Sequence, residues 1–508
     1  MAVFVVSFAC GCASERLERN VGLDYQSAVD GFTVKAGGKG DIDAYEISGN
    51  NYVFVRDTDK DAAYQRYSFA QLGETVMPIG VYTPGSSLRQ EIAYATMKEN
   101  GVNFIMKGSS DLCKKYGFVY MVSIAGQTFD SKEKLYEKYV KDFNNEYFVG
   151  LYEDEPGIAR IYQLAYYKEM VKELTDGQRT LLACPLLFTT GGTAAFGWNY
   201  IKWTGFVDMF DNYKIEGYDE LNAIDMTWFD NYYDYELERE ESDSGENQLT
   251  GTVYNDFYRD VFKPDFMTKT YYPTDAPYPY IATRSIGRVA EYRLNSADLG
   301  SPIPLFQYVR LTGDAASQQS GQTQDRVLSE EEVGFQVHTS LAYGAKGIIY
   351  YSYGANGSDE TGCWGAAVTS EGIRTELYYA AKKVNEQISA VDDVLMTSLF
   401  RGVIHTGYVP YDYNNRANVN AYGVISKVNG AHNAIGCFDY DVKADQSFST
   451  NAYYIANTSV VDSELVKIYF NKSVNCYFIS DSVRTDYDNV SSLILNIGAG
   501  NGGLLVIE

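Results

Sequence analysis

The chain has 508 residues, which is more than a single hydrophobic core usually supports, so two or three structural units are expected. Hydrophobic residues make up 45% of the chain and charged residues 21%, a composition typical of globular proteins rather than disordered ones. The formal net charge of −25 argues against nucleic acid and anionic membranes as partners, because binding to either depends on Lys and Arg.

Residues 1–26 resemble the end of a secretory signal followed by a linker. The apolar run Ala2–Ala9 leads into Cys10 and Cys12, as at a lipoprotein cleavage site. The sequence therefore predicts an extracellular or cell-surface protein with a lipid anchor at a cysteine; an ordinary buried strand is the alternative. No later run is long enough for a transmembrane helix. The other cysteines are scattered and the chain has three His, so neither a metal site nor another cofactor nor a disulfide framework is predicted.

Residues 27–75 are predicted to form a small N-terminal β element, with a glycine-rich turn at Gly37–Gly40. From 76 to 394, short apolar runs alternate with helical patterns, as in βα units around a parallel sheet. Eight runs can be counted: Met77–Tyr82, Val102–Met106, Phe118–Ile124, Tyr147–Tyr152, Thr180–Phe188, Ile224–Phe229, Ile303–Val309 and Gly347–Tyr353. An α/β fold built on a (β/α)8 TIM barrel is expected. A doubly wound open sheet is the alternative, but no GxGxxG opens a helix after the first strand.

Three further patterns complete this organisation. Ser329–Glu332 predicts a capping box that begins a helix. The connection after the sixth run is long and contains the acidic segment Glu236–Asn247, which is expected to be mobile above the carboxyl end of the barrel. Residues 395–508 show short alternating runs and turn residues, which predict a C-terminal antiparallel β-sandwich.

The strongest site signal is Gly150–Pro156, in which an apolar strand ends in Glu153, Asp154 and Glu155 before a proline opens the next helix. Glycosidic cleavage needs one carboxylic acid to protonate the leaving oxygen and a second carboxylate as nucleophile or base. A carboxylate at the end of a barrel strand is placed for this chemistry. The alternative is that these acids cap the helix, which its dipole also favours.

A resemblance rests on four segments: Met77–Gly80, Leu151–Pro156, Gly334–Gly347 and Tyr350–Tyr353. Together they resemble barrel glycoside hydrolases of gut bacteria, in the group around the family 42 β-galactosidases and cellulase-like barrels. The resemblance implies a glycosidase with a trailing β-sandwich and with Glu155 as the acid/base at the end of strand four. The family nucleophile is a glutamate ending strand seven, where this sequence offers Gln307 and no acid.

The second carboxylate must then come from elsewhere, and Asp230 at the end of the sixth run is the candidate. The stretch around Asp230 also resembles the strand-six pattern of chitinase-type barrels, in which the acetamido group of the substrate is the nucleophile. Glu153, two residues before Glu155, would partly match that family's acidic pair, although the rest of its motif is absent.

Aromatic and polar residues near the predicted strand ends complete the candidate site. The 46 Tyr residues are compatible with glycan binding, because an aromatic ring covers the apolar face of a sugar, and equally with strand packing. The candidate substrate-binding residues are Glu153, Asp154, Trp228, Tyr232, Gln307, Tyr353 and Trp364, with Arg284 and Arg310 as further contacts to hydroxyl groups. The sequence thus predicts a glycoside hydrolase acting on a carbohydrate; a non-catalytic surface glycan-binding lipoprotein and a substrate-assisted hydrolase of N-acetylated sugars are the alternatives. Nothing in it indicates an oligomeric state.

Overall fold

The computed structural model describes most of the chain outside its N-terminal region and its central segment. The described residues are 33–36, 44–48, 52–55, 69, 71–73, 75–85, 89–154, 167, 170–171, 173–175, 179–184, 267–271, 290, 305–311, 313–314, 327–351, 353–354, 364–407, 417–442 and 448–508. Within the N-terminal region, β1 (Thr33–Ala36), β2 (Ala44–Ser48) and β3 (Tyr52–Val55) form a three-stranded antiparallel sheet in that order. The predicted N-terminal β element therefore contains these strands.

Eight parallel strands form the central sheet. In chain order the strands of this region are β4 (Ile79–Val81), β5 (Phe104–Ile105), β6 (Val119–Ser123), β7 (Phe148–Asp154), β8 (Thr180–Cys184), β9 (Met267–Tyr271), β10 (Leu305–Arg310), β11 (Gly313–Asp314), β12 (Gly347–Tyr351) and β13 (Trp364–Gly365). The sheet order is β8-β7-β6-β5-β4-β12-β10-β9, and all its pairings are parallel. Cα atoms of the two end strands, β8 and β9, approach within 8 Å, which brings the sheet round into a barrel. The predicted (β/α)8 fold is confirmed.

One strand of the barrel differs from the sequence prediction. The strand next to β10 is β9, at Met267–Tyr271, within a segment that the sequence predicts to be a long connection. The predicted sixth run, Ile224–Phe229, lies outside the described residues. β9 alternates Thr with Lys and Met instead of forming a continuous apolar run, so the pattern expected of a strand buried on both faces does not reveal it.

The described helices are α1 (Gln90–Glu99), α2 (Ser110–Tyr116), α3 (Lys132–Lys138), α4 (Val140–Phe143), α5 (Glu330–Ala342), α6 (Glu376–Ser389) and α7 (Asp392–Thr397). The capping box predicted at the start of α5 is present. The Ser329 hydroxyl accepts a hydrogen bond from the Glu332 backbone N–H at 3.2 Å, and the Glu332 carboxylate accepts one from the Ser329 N–H at 2.8 Å. These bonds satisfy two N–H groups that a helix start otherwise leaves unpaired.

Aromatic residues close the amino-terminal end of the barrel. Phe69, which precedes β4 in the chain, contacts the rings of Phe104 and Phe306 at centroid distances of 5.0 and 5.6 Å. Two glycines make room for these rings, since a Cβ on Gly80 or Gly347 would lie 2.6 or 2.7 Å from a ring atom of Phe104 or Phe306. A packed floor at this end leaves the carboxyl end as the place for ligands.

The C-terminal domain is antiparallel, as the sequence predicts. Its strands are β14 (Leu399–Thr406), β15 (Ile425–Asn429), β16 (Asn433–Val442), β17 (Phe448–Asn457), β18 (Glu464–Ser480), β19 (Val483–Ile497) and β20 (Gly502–Ile507). Their order is β14-β16-β17-β20-β18-β15, and β19 pairs with β18. The early part of β18 pairs with β15 and its late part with β20. The long strand β18 thus links β15 to β20 in the sheet, which encloses the hydrophobic core of the β-domain.

The central strands of this domain are buried on both faces. In β17, Tyr453 and Ile455 belong to the core of the β-domain, whereas Ala452, Tyr454 and Ala456 belong to the core shared with the barrel helices. A Cβ on Gly436 of the neighbouring strand β16 would overlap the backbone of Ala342 at the end of α5. The barrel and the β-domain therefore pack through direct helix-to-sheet contact.

His338 lies at the centre of this junction and is 1% exposed. Its Nε2 is 3.1 Å from Oε1 of Gln387 on α6, and its Nδ1 is 2.7 Å from the hydroxyl of Tyr454. Since an amide oxygen can only accept, Nε2 carries the proton and Tyr454 donates to Nδ1. The Gln387 amide in turn donates to Asp481 at 2.6 Å and Asn501 at 3.0 Å, both in the β-domain. His338 therefore has a structural role at this junction.

Candidate active site

Four tyrosines line the interior of the barrel towards its carboxyl end. The ring of Tyr82 lies 6.3 Å from Tyr152, 6.1 Å from Tyr308 and 5.4 Å from Tyr351, measured between centroids. All four belong to the interior cluster of the barrel or pack against it. Tyr152 and Tyr308 are buried, whereas Tyr351 is partly exposed. We call this set the tyrosine cluster. The rings of Tyr82, Tyr152 and Tyr308 are packed inside the barrel, so Tyr351 is the member of the cluster with exposed aromatic surface.

Strand β7 ends in two acidic residues, Glu153 and Asp154. A β-bulge shifts the β6–β7 register between Tyr120 and Met121, so that Val149 and Tyr152, three residues apart, both join the interior cluster. The strand then ends in Glu153, which is 5% exposed, and Asp154, whose main chain pairs with Cys184 of β8. Because Tyr152 belongs to the barrel interior, the Glu153 side chain starts from the outward face of β7, like that of Gln307 on β10.

Two cationic residues occupy other strand ends. Lys107 directly follows β5, and its exposed ammonium group donates a hydrogen bond to the Tyr82 hydroxyl at 2.8 Å and lies 4.5 Å from the centre of that ring. Arg310 is the last residue of β10 and is 5% exposed. Gln336 of α5 fixes its main chain by accepting from the Arg310 N–H at 2.9 Å and donating to its carbonyl at 3.2 Å.

Several predicted site residues lie outside the described part of the chain. These are Glu155, Trp228, Asp230 and Tyr232, together with Arg284 and the acidic segment Glu236–Asn247. Only the main chains of Asp154 and Trp364 are described. The main chain of Trp364 pairs with Asp314 in the antiparallel β11–β13 ribbon, and β11 begins three residues after Arg310. Trp364 is thus in a short strand near the carboxyl end of β10.

Two predicted substrate contacts are placed elsewhere by the structure. Gln307 alternates with Phe306 and Tyr308, which belong to the barrel interior, so its side chain starts from the outward face of β10. It is fully buried, and its amide donates to the Tyr308 carbonyl at 3.0 Å. Tyr353 is also fully buried and belongs to the core between the barrel and its helices. Neither side chain is at the mouth of the barrel.

Sequence reasoning missed Lys107 and the tyrosine cluster, Tyr82, Tyr152, Tyr308 and Tyr351, as candidate site residues. A usable signal existed, because Tyr82 ends the first predicted strand and Lys107 directly follows the second.

The described ranges contain neither a candidate metal cluster nor a candidate membrane-spanning helix. Among those residues, no group of three His, Cys, Asp or Glu side chains is arranged to hold a metal ion. Nor does any described helix have the length and hydrophobicity to cross a membrane.

Comparisons with known proteins give no family for the chain. No protein-family model matches it, and no curated protein matches it. Among solved structures, it is similar to a Bacteroides fragilis protein described as a candidate α-galactosidase, at 10% identity and a TM-score of 0.42, over 85% of this chain and 79% of that one. A β-galactosidase from Bacillus circulans sp. alkalophilus matches at 8% identity and 0.41, over 85% and 99%. The catalytic domain of a chitinase from Pyrococcus furiosus matches at 11% and 0.33, over 61% and 96%. Likeness at this level supports neither a particular family nor an activity.

Proposed function

We propose that this protein hydrolyses glycosidic bonds in a carbohydrate, with Glu155 as the general acid/base and Asp230 as the second carboxylate. The observation that carries the proposal is strand β7 of the barrel, which ends in Glu153 and Asp154 immediately before Glu155 in the sequence. Its carboxyl end lies beside the tyrosine cluster. A parallel barrel binds ligands at this end of its strands.

The chemistry follows from the two kinds of group that the site brings together. A carboxylic acid must protonate the leaving oxygen while a second carboxylate acts as nucleophile or base. Neighbouring carboxylates disfavour further negative charge, which helps one of them to keep its proton near neutral pH. The partly exposed ring of Tyr351 is the member of the tyrosine cluster that can hold a sugar through its C–H face. Secretion, with or without a lipid anchor, is part of this proposal and would give access to extracellular glycans.

The test is the Glu155→Gln substitution, assayed for release of reducing sugar on a panel of glycans that includes chitooligosaccharides. Removing an acid/base group typically lowers turnover by about 10²- to 10⁴-fold. Glycan binding should persist, because the amide keeps the shape of the side chain. Glu146→Gln is the matched control, since Glu146 lies just before β7 and is exposed at the other end of the same strand. Turnover that is equal in the two variants would remove Glu155 from the mechanism.

A second candidate function is glycan binding without catalysis, and Arg310 favours it. The resemblance to glycoside hydrolases implies an acid at the end of this strand, whereas β10 ends in a guanidinium group. A binding protein would be retarded in a gel containing its glycan, yet it would release no reducing sugar from any member of the panel. Sugar release that Glu155→Gln abolishes would exclude this candidate.

A further inference from the structure

Lys107 lies after a barrel strand and contacts an aromatic residue instead of a carboxylate. Six other described lysines, on helices α2, α3, α4 and α6, lie within 4 Å of a carboxylate: Lys114, Lys115, Lys132, Lys134, Lys141 and Lys383. No described carboxylate lies that close to the Lys107 ammonium group, whose hydrogen bond goes to the neutral hydroxyl of Tyr82.

A second cation, Arg310, lies on the other side of the pair formed by Tyr82 and Tyr351. Arg310 is two residues beyond the interior residue Tyr308 and is directly opposite Tyr351 in the β10–β12 register. The Tyr351 ring lies 5.4 Å from that of Tyr82, which Lys107 covers. Positive charge therefore flanks the Tyr82–Tyr351 pair at two strand ends.

We infer that the glycan bound at this barrel mouth carries an anionic group, a carboxylate or a sulfate, which Lys107 contacts. A lysine ammonium group has three donors, and the bond to Tyr82 uses one of them. A hydrogen bond from the ammonium group to an anion adds Coulomb attraction between opposite charges, so an anion gains more here than a neutral sugar hydroxyl does. This inference rests on the proposed glycan ligand but not on catalysis.

The net charge makes the inference easy to test. A chain of net charge −25 repels polyanions, so non-specific binding to them is disfavoured. At physiological ionic strength, salt screens the repulsion from negative charges that lie more than about 8 Å away. A direct contact between an anion and Lys107 is much less affected by this screening. Binding of an acidic polysaccharide would therefore report a local site.

The experiment is affinity gel electrophoresis and calorimetry with polygalacturonate, its fully methyl-esterified form and the sulfated galactan carrageenan. Wild-type protein should bind at least one acidic polymer more tightly than the ester. Lys107→Met should weaken that binding about tenfold, and Lys107→Arg should restore most of it. Lys114→Met is the matched control, because it removes the same charge from an exposed lysine on the outer helix α2.

Each outcome separates this inference from the proposed activity. Equal binding of acidic and esterified polymers, or equal affinity of Lys107→Met and Lys114→Met, would overturn the anionic ligand. Binding that depends on Lys107 without release of reducing sugar would support the ligand and refute the hydrolase. Circular dichroism of each variant checks that a loss of binding is not a loss of fold.

Discussion

Acidification should destabilise the junction between the barrel and the β-domain through His338. Burial lowers the pKa of this histidine from 6.5 to about 4, an effect that the hydrogen bond to Gln387 and the charge of Asp481 only partly offset. The unfolded chain therefore binds this proton more tightly than the folded one. Stability is unaffected above pH 6.5, and it falls as the pH drops from about 6.5 to about 4.

The size of the effect follows from the size of this pKa difference. Each pKa unit corresponds to 1.36 kcal/mol, so protonation of His338 should cost about 3 kcal/mol by pH 4. That is a large part of the roughly 5 to 15 kcal/mol by which most domains are stable. Asp392 acts with the opposite sign, because burial raises its pKa to about 6. Its contribution is the same with and without His338, so it cancels in a comparison of variants.

The assay is urea unfolding of wild type and His338→Gln at several pH values between 7 and 4.5. The variant should be less stable at pH 7, because it loses hydrogen bonds to Tyr454 and Gln387, but it should lose less stability on acidification. His432→Gln is the control, since His432 is exposed on the β-domain. Parallel pH profiles for wild type and His338→Gln would refute the assignment of acid sensitivity to this residue.

Two substitutions test the packing of the same region by thermal unfolding. Gly436→Ala should destabilise the protein by about 1–3 kcal/mol, because the added methyl group would overlap the Ala342 backbone, whereas Gly498→Ala, where the nearest atom would be 3.6 Å away, should be nearly neutral. Lys346→Met should cost about 1–3 kcal/mol, because the buried ammonium group of Lys346 donates to two carbonyls at the end of α7 that methionine would leave unpaired. Equal melting temperatures for the two glycine variants, or an unchanged one for Lys346→Met, would contradict these contacts.

The barrel could be predicted because most of its strands are continuously apolar, a pattern that follows directly from burial on both faces. The same reasoning failed at β9, where Thr268, Lys269 and Thr270 give a polar pattern. β9 is recognised as a barrel strand only from its parallel pairing with β10 in the structure. The capping box at Ser329 was predictable because it is local to four residues.

The site was harder to predict because it depends on which face of a strand each residue occupies. Gln307 and Tyr353 are near strand ends in the sequence, yet both side chains are buried away from the barrel mouth. A bulge in the β6–β7 pairing changes the phase of β7, which no alternation rule anticipates. Lys107 was missed because its importance lies in a contact with Tyr82, 25 residues away in the chain.

The doubly buried central strands of the β-domain have a consequence for how the protein could evolve or be divided. Ala452, Tyr454 and Ala456 of β17 cover barrel helices, so ending the chain after α7 would expose an apolar surface on the barrel. An accessory module joined by a flexible linker can be lost or exchanged without harm to its neighbour. Here the β-domain instead packs directly on the barrel helices, so the two domains should be inherited, expressed and unfolded together.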